Sequence, residues 1–380
     1  MSGASYEGEV NANNTFDIFL VAAPGLESAL CNEAQRAGFA DARLVEGGVE
    51  LKGGWPEIWR ANLSLRGATR VLVRIAQFRA MHLAQLDKRA RKVAWGEFLK
   101  PDQPVAIEAS CRKSKIYHAG AVTQRVATAI KEELGAPIAE KADVTVMARI
   151  EDDLVTISID TSGEALYRRG HKLEVNRAPM RETMAALFLY QCGYRGTEPV
   201  LDPMCGSGTF VIEAAEIASA LFPGRDRGFG FEHLAGFAPG QWQAMRTPLP
   251  PATTDLRFSG SDTDADAIAM SRTNAERAGV ANVTQFDVRD AGDLIRPDGP
   301  PGLVICNPPY GARLGDKSDL RSVHARLGAA LKARLSGWRV GLITTDRTLA
   351  EATHLPFRAP SEPVLHGGLR VRLWQTEALR

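Results

Sequence analysis

The spacing of apolar positions predicts a small α/β unit in residues 16–80. Alternating apolar residues mark strands, and apolar residues at helical spacing mark two helices between them. The predicted strands are 16–22, 41–46, 47–53 and 68–78, and the predicted helices are 26–37 and 55–65. This order, strand-helix-strand-strand-helix-strand, is a compact supersecondary arrangement. The polar residues before it, 1–15, are expected to form a flexible tail.

The same patterns predict a second α/β unit in residues 81–165, after the first, ferredoxin-like unit. A helix is expected over 82–96, a strand over 104–110 and a helix over Ala119–Leu134, which ends at Gly135. Two alternating segments flank Asp152-Asp153, which predicts a hairpin.

From about residue 166 the pattern changes to buried strands that alternate with helices. Apolar strands end at Asp202, Asp262, Asp290 and Asn307, and a fifth strand covers 338–345 after a helix near 318–335. Such alternation predicts a parallel sheet with helices on both faces. Residues 223–257 are rich in Gly, Pro and Arg, so we expect an insertion loop between the first helix and the second strand.

Composition narrows the class of protein. The 380 residues are 44% hydrophobic and 24% charged, which is typical of a soluble globular protein. The five cysteines are scattered, so a disulfide framework, a zinc site or any other metal site is not expected, and a reducing cytoplasm fits. No signal peptide or membrane span is recognisable, and a monomer is favoured.

Charge is unevenly distributed although the net charge is only +1. Ten basic and four acidic side chains lie between Arg79 and Arg125. The densest cluster, CRKSKIYH, joins a strand to a helix, and its candidate RNA contacts are Arg112, Lys113, Lys115 and His118. The alternative is a solvated charged loop.

The stretch DPMCGSGT (202–209) has the chemistry of a nucleotide-binding turn. Asp202 ends a strand, Gly206 and Gly208 permit close approach of a ligand to the backbone, and Thr209 starts a helix. The stretch lacks the Gly-x-Gly-x-x-Gly spacing and the Lys-Ser/Thr pair of pyrophosphate-binding loops. We therefore expect a nucleotide-like cofactor without a pyrophosphate.

Two further carboxylates follow the next strands. Asp262, with the adjoining Thr263, is placed to accept the hydroxyls of a ribose. A helix N-cap is the alternative, although Asp264 or Asp266 suits that position better. Asp290 is placed to accept a hydrogen bond from an adenine amino group, or else it is a turn carboxylate.

The fourth strand ends in VICNPPYG. Pro308 and Pro309 lack N–H groups and fix the backbone, while Asn307 supplies a side-chain carbonyl. Tyr310 offers a flat ring on which a base can stack. The four residues predict a rigid clamp for a planar amino or amide group, whereas a simple proline turn explains only the prolines.

Together these motifs resemble class I S-adenosylmethionine-dependent methyltransferases. LDPMCGSGTF matches the family's cofactor loop, which adds Met204 and Cys205 to the candidate cofactor residues; GSD matches its ribose acid, and NPPY its amino-methylating motif. CRKSKIYHAGAVTQRV resembles a THUMP RNA-binding domain. The resemblance implies a Rossmann-like methyltransferase sheet (166–380) preceded by a ferredoxin-like domain (16–80) and a THUMP domain (81–165), both α+β.

The linking segment YRRGHKLEVNRAPMRETMAAL and the NPPYGARLG loop resemble bacterial 23S rRNA guanine-N2 methyltransferases and their tRNA relatives. The resemblance implies S-adenosyl-L-methionine as cofactor and structured RNA as substrate, with 23S rRNA favoured over tRNA. One alternative is protein-glutamine methylation. Another is a non-catalytic RNA-binding protein or folding chaperone with a decayed methyltransferase fold, although the intact DPMCGSGT, Asp262 and NPPY argue against decay.

Arg181, Glu182 and Thr183 are implied to hold the amino-acid end of the cofactor, or else they simply start a helix. Ala312 departs from the family's usual Glu, and the second methyltransferase domain of many large-subunit enzymes is not in the sequence.

Overall fold

The computed structural model describes residues 15–172, 180–247, 254–310 and 317–380. The predicted tail up to residue 14, part of the linking segment and Ala312 lie outside the described residues. The chain divides into two compact units. The first comprises the chain up to Ala22, Ala34–Leu166 and Arg227–Thr247; the second comprises Ala23–Glu33, Tyr167–Asp226 and the remainder of the chain to Arg380.

Residues 16–160 form a seven-stranded sheet with four α-helices among the described residues. The strands are β1 (Phe16–Val21), β2 (Arg43–Val45), β3 (Gly48–Gly53), β4 (Arg70–Arg79), β5 (Val105–Arg112), β6 (Val144–Glu151) and β7 (Leu154–Asp160), and the helices are α1 (Glu27–Arg36), α2 (Trp55–Ser64), α3 (Leu83–Ala90) and α4 (Ala119–Leu134). The sheet order is β2-β3-β1-β4-β7-β6-β5. The predicted order of elements is confirmed in both parts.

The two predicted α/β units share this one sheet, because β4 pairs antiparallel with β7. Arg70 forms an ion pair with buried Asp160 across the junction. The side chain of Asn62 donates to Thr161 Oγ1 (3.0 Å) and accepts from Ser162 Oγ (2.7 Å). Satisfied buried hydrogen bonds of this kind fix how neighbouring segments pair.

The helix predicted over 82–96 is too long. Helix α3 ends at Ala90, and a single 3₁₀ turn follows at Trp95–Glu97. The buried indole of Trp95 donates to the carbonyl of Ala90 at 3.0 Å. This side chain satisfies a carbonyl that the end of the helix leaves open, so the chain turns back there.

The second unit is built on another seven-stranded sheet. Its strands are β8 (Val200–Asp202), β9 (Phe258–Asp262), β10 (Thr284–Val288), β11 (Leu303–Cys306), β12 (Arg339–Thr344), β13 (Val364–His366) and β14 (Leu369–Gln375), in the order β10-β9-β8-β11-β12-β14-β13. The helices that follow in the chain are α5 (Glu182–Gln191), α6 (Thr209–Ala218), α7 (Pro239–Arg246), α8 (Ala265–Arg277), α9 (Lys317–Arg334) and α10 (Arg347–Ala352). Of these, α7 belongs to the first unit.

The first five strands of this sheet are parallel, as predicted, but β14 runs antiparallel to β12 and forms a hairpin with β13. The five predicted strands are therefore parallel, as expected, whereas the antiparallel pair β13 and β14 was not predicted. In the described part of the chain, none of the helices has the length and apolar character needed to cross a membrane.

The stretch 223–257 lies between α6 and β9, as predicted, but it is more than a loop. It contains a 3₁₀ turn, Gly230–His233, and helix α7. Arg227–Thr247 belongs to the first unit, where Phe231 donates its N–H to the carbonyl of Thr161 (2.9 Å) and its ring lies near Trp59. The stacked rings of Phe229 and Phe231 meet the edge of Trp242. Because each of these aromatic side chains has a large apolar surface, their packing holds residues 227–247 in the first unit.

Candidate active site

The glycine-rich turn between β8 and α6 adopts a backbone that only glycine tolerates well. Gly206 and Gly208 have φ values of +53° and +82°. A Cβ atom at position 208 would lie 3.1 Å from both Phe286 and Ser271. The N–H of Cys205 donates to the carbonyl of Ser261 (2.9 Å), which ties the turn to β9. The turn is therefore a preformed cradle at the carboxyl end of the parallel strands.

Asp262 lies at the end of β9 and braces the same turn. Its Oδ2 accepts the N–H of Gly206 at 2.9 Å, and its Oδ1 accepts the N–H of Asp264 at 3.1 Å. Asp264, not Asp262, caps α8 by accepting the N–H groups of Asp266 and Ala267. The carboxylate of Asp262 retains acceptor capacity beside the cradle, since each oxygen has two lone pairs. Thr263 is exposed next to it.

Asp202 is a buried carboxyl below this turn. Burial raises the pKa of Asp202 to about 8; a hydrogen bond from the N–H of Met204 opposes this rise, and the charge of Asp262 adds to it. Burial also raises the thiol pKa values of Cys205 and Cys306, and the charge of Asp202 adds to both. Burial at this end of the sheet therefore disfavours the ionised forms of these three groups.

The raised pKa of Asp202 predicts a pH-dependent loss of stability. An unfolded Asp titrates near pH ~3.9, so between about pH 4 and 8 the folded chain holds a proton that the unfolded chain has released. Stability therefore falls as pH rises through this window. We expect the fall in melting temperature from pH 5 to pH 8 to be smaller in Asp202→Asn than in the wild type. The exposed control Asp298→Asn should behave as wild type, and an unchanged fall in Asp202→Asn would contradict the prediction.

Asp290 is engaged in local contacts. It caps the 3₁₀ turn Ala291–Asp293 by accepting the N–H of Gly292 at 2.7 Å, and it forms an ion pair with Arg326. These contacts correspond to the turn carboxylate that the sequence left open as an alternative. A contact to an adenine amino group stays a prediction.

The NPPY segment follows β11, which lies between β8 and β12. The Asn307 side chain hydrogen-bonds to Tyr310, while its Oδ1 is buried and has no partner among the residues described. Tyr310 is only 9% exposed, and burial raises its pKa to about 12, so the hydroxyl stays protonated. In this conformation Tyr310 holds the amide of Asn307 and does not present an open face, so stacking stays a prediction.

A lysine that the sequence reasoning missed connects two of the predicted cofactor segments. Lys172 Nζ lies 3.2 Å from the carboxylate of buried Glu182 and donates to Thr209 Oγ1 at 2.8 Å. Thr183 is buried in the first turn of α5, whereas the guanidinium of Arg181 lies 4.9 Å from the ring centre of Tyr167. Lys172 thus joins the start of α5 to the start of α6. Its only sequence signal was membership of the linking segment.

The family of the chain follows from a comparison with known proteins. A family model described as the RMKL-like methyltransferase domain matches residues 169–363, which is just over half of the chain. The chain belongs to this RMKL-like methyltransferase family. Further models match at 17–72 (RlmL ferredoxin-like domain) and 80–160 (THUMP domain). The fold class and family predicted from the sequence are confirmed.

Two relatives of this RMKL-like chain are about twice its length. Two proteins named ribosomal RNA large subunit methyltransferase K/L, from Marinomonas sp. (strain MWYL1) and Vibrio cholerae (strain O395), are each 32% identical over 96% and 92% of this chain. The alignments span 53% and 51% of those proteins, so the chain corresponds to about half of each. The crystal structure of SMU.472 complexed with SAH is 26% identical, with a TM-score of 0.88 over 97% of this chain and 99% of that one.

The THUMP match of this RMKL-like chain contains the basic cluster. Arg112 lies 3.2 Å from Glu151, and His118 caps α4 by accepting the N–H of Ala121 at 3.0 Å. Lys113 and Lys115 are exposed, and Tyr117 between them and α4 is 84% exposed. The four residues predicted to contact RNA therefore lie in one short segment, and His118 has a structural role there. Contact of these residues with RNA stays a prediction. Tyr117 was not among the predicted contacts, although an aromatic residue between cations was visible in the sequence.

Proposed function

We propose that the chain transfers a methyl group from S-adenosyl-L-methionine to the exocyclic N2 of a guanosine in 23S rRNA. The observation that carries this proposal is the buried, unpartnered Oδ1 of Asn307 beside the glycine turn. A buried acceptor without a donor is costly, and an incoming amino group would supply that donor.

The residues at the end of the sheet fit S-adenosylmethionine. The cradle at Gly206 and Gly208 excludes a Cβ atom at position 208, and Asp262 beside it offers a carboxylate to ribose hydroxyls. Glu182, held by Lys172 next to Thr209, would contact the amino-acid end. When bound, the cofactor supplies an activated methyl group on a sulfonium.

Asn307 is the residue assigned to the target amine. Tyr310 fixes its amide, so Oδ1 is directed by a neighbour before any substrate arrives. Accepting an N–H of the amine orients the nitrogen lone pair and stabilises the positive charge that develops on it. Pro308 and Pro309 cannot donate hydrogen bonds and restrict the backbone, which keeps the clamp rigid.

RNA as the substrate is supported by the names of the relatives and by the exposed cations of the THUMP match. Cations bind the phosphate backbone without reading sequence, which suits delivery of one nucleotide to the proposed clamp. The target base must leave its stack to reach a buried amide oxygen.

The test is transfer of label from S-adenosylmethionine to unmodified total RNA, with large rRNA and tRNA separated before nucleoside analysis. Label in N2-methylguanosine of the large rRNA is the expected result. Label in tRNA alone would show that tRNA, and not 23S rRNA, is the substrate. Label on another atom of guanosine would contradict the assignment of the exocyclic amine as the methylated group. Absence of label in RNA, with cofactor binding intact in calorimetry, would contradict RNA methylation and direct the assay to protein substrates.

Removal of two exposed cations should weaken RNA binding in a salt-dependent way. For the double variant Lys113→Ala/Lys115→Ala, we expect the negative slope of log affinity against log salt concentration to become shallower by about 1.5 to 2. RNA affinity at moderate salt should be about tenfold lower than in the wild type. Filter binding across a salt series measures both. The matched control, Lys52→Ala/Lys141→Ala, removes two exposed lysines outside the cluster. Equal slopes for the two double variants would contradict an RNA contact at 113 and 115.

A further inference from the structure

Tyr117 presents its aromatic ring to solvent, in the segment 112–118 between β5 and α4. It is 84% exposed, more than any other large apolar side chain among the described residues; the next, Ile295, is 61% exposed. A single exposed apolar side chain needs no explanation by itself. The segment around Tyr117, however, fixes the position of the ring and surrounds it with positive charge.

Hydrogen bonds to the turn between β6 and β7 fix the backbone that leads to Tyr117. The N–H of Lys115 donates to Asp153 Oδ1 at 2.7 Å, and Ser114 Oγ accepts the N–H of Asp153 at 3.1 Å. Lys113 has a φ of +46°, a conformation that is uncommon outside glycine and persists where surrounding contacts maintain it. The segment therefore follows one defined path across the end of the sheet.

The residues on either side of Tyr117 are fixed as well. Ile116 is buried, and His118 caps α4 by accepting the N–H of Ala121 at 3.0 Å. The backbone of Tyr117 is therefore held from both sides while its side chain stays in water. A ring presented in this way loses little conformational freedom when a flat partner binds to it, and such preorganisation favours binding.

Positive charge adjoins the ring. The segment 112–118 has three lysine or arginine side chains and no carboxylate. Lys115 Nζ lies 3.6 Å from Met81 Sδ, and Arg79 donates to the carbonyl of Asp152 at 3.2 Å. Cations from β4 and from the segment therefore meet at the same turn. An exposed ring among cations suits a ligand with flat faces and negative charge, and an unpaired nucleotide has both.

We propose that Tyr117 stacks on an unpaired base of the RNA while the neighbouring cations bind the phosphates beside that base. Within a duplex each base is covered by its neighbours, so a protein ring stacks where the strand is unpaired. Tyr117 then makes the segment selective for RNA with unpaired nucleotides, which charge alone does not achieve. The inference rests on the proposed function, in which RNA is the substrate.

The test compares Tyr117→Ala, which removes the ring, with Tyr117→Phe, which keeps it. The probes are a stem-loop RNA with a loop of unpaired uridines and a long, fully paired duplex that contains the same stem sequence. For the stem-loop we expect affinity to fall about tenfold in Tyr117→Ala and to stay within about twofold of wild type in Tyr117→Phe. For the duplex, both variants should stay within about twofold of wild type.

Filter binding across a salt series separates stacking from charge. The slope of log affinity against log salt concentration should be the same in Tyr117→Ala as in the wild type, whereas the lysine double variant makes it shallower. Ile295→Ala removes an exposed apolar side chain from the second unit and should bind both probes as wild type does. The melting temperature of Tyr117→Ala should be unchanged, because the ring is exposed.

Three outcomes would overturn the inference. Wild-type affinity of Tyr117→Ala for the stem-loop would show that the ring does not bind RNA and would point to a protein partner. An equal loss on the stem-loop and the duplex, or an equal loss in Tyr117→Phe, would exclude stacking on an unpaired base. If the wild-type chain binds the stem-loop through Tyr117 but transfers no methyl group to RNA, the proposed function fails and the inference stands, so the two failures are distinguishable.

Discussion

Asn307→Ala should lower the rate of methyl transfer by about 10²–10³-fold while leaving cofactor affinity unchanged. The variant removes the one acceptor that is buried, unpartnered and held by Tyr310 at the end of β11. Loss of a preorganised group that stabilises developing charge typically has an effect of this size. Single-turnover transfer of label, with calorimetry of cofactor binding alongside, separates the chemical step from binding.

The control for this variant is Asn282→Ala, which removes an exposed asparagine elsewhere in the same unit. It should transfer methyl groups at the wild-type rate. Asn307→Ala removes a buried unsatisfied acceptor as well, so its melting temperature should not fall by much. Turnover of Asn307→Ala within a few fold of wild type would rule out the clamp, and a large loss of stability would assign the amide to folding.

Asp262→Ala should weaken cofactor binding by about 100-fold. The carboxylate braces the glycine turn through the N–H of Gly206 and supplies the proposed acceptor for ribose hydroxyls. Charge-assisted hydrogen bonds contribute about 1.5–3 kcal/mol each, and a loss of about 3 kcal/mol corresponds to roughly 100-fold in Kd. Titration calorimetry with S-adenosylmethionine and with S-adenosylhomocysteine measures the effect.

Asp264→Ala is the matched comparison, two residues away on the same turn. Its side chain caps α8, so the variant should lose ~1 kcal/mol of folding stability and keep its cofactor affinity. If Asp264→Ala lost cofactor affinity and Asp262→Ala kept it, Asp264 and not Asp262 would be the residue that binds the cofactor. Equal affinity in both variants would remove Asp262 from the cofactor site.

The features that the sequence predicted well are those with a local signal. The glycines of the turn need positive φ, Asp264 sits just before a helical pattern, and the prolines follow an apolar run. The joining of β4 to β7 left no such signal, because these strands are separated by two other strands and two helices in the chain. Lys172 was missed for the same reason, since its partners Glu182 and Thr209 come from other elements.

Other features of the candidate site could not be predicted because they depend on the register of the sheet and on burial. The position of β12 beside the strand that leads into the NPPY segment depends on the pairing of Cys306 with Leu342, which the residue types at these positions do not specify. The burial of Tyr310 could not be predicted either, because an aromatic residue after two prolines can be exposed as well as buried.

Because Arg227–Thr247 belongs to the first unit, the chain cannot be cut at one position into two fragments that each contain a whole unit. A fragment that starts at Tyr167 would carry Phe229, Phe231 and Trp242 without the Thr161 carbonyl and the Trp59 ring that they meet in the intact chain. Such an uncovered aromatic surface promotes aggregation. A fragment that ends at Leu166 would lack the same segment. The two units therefore cannot be exchanged as single consecutive segments: a chimera that replaces either unit must exchange three separate stretches of the chain at once.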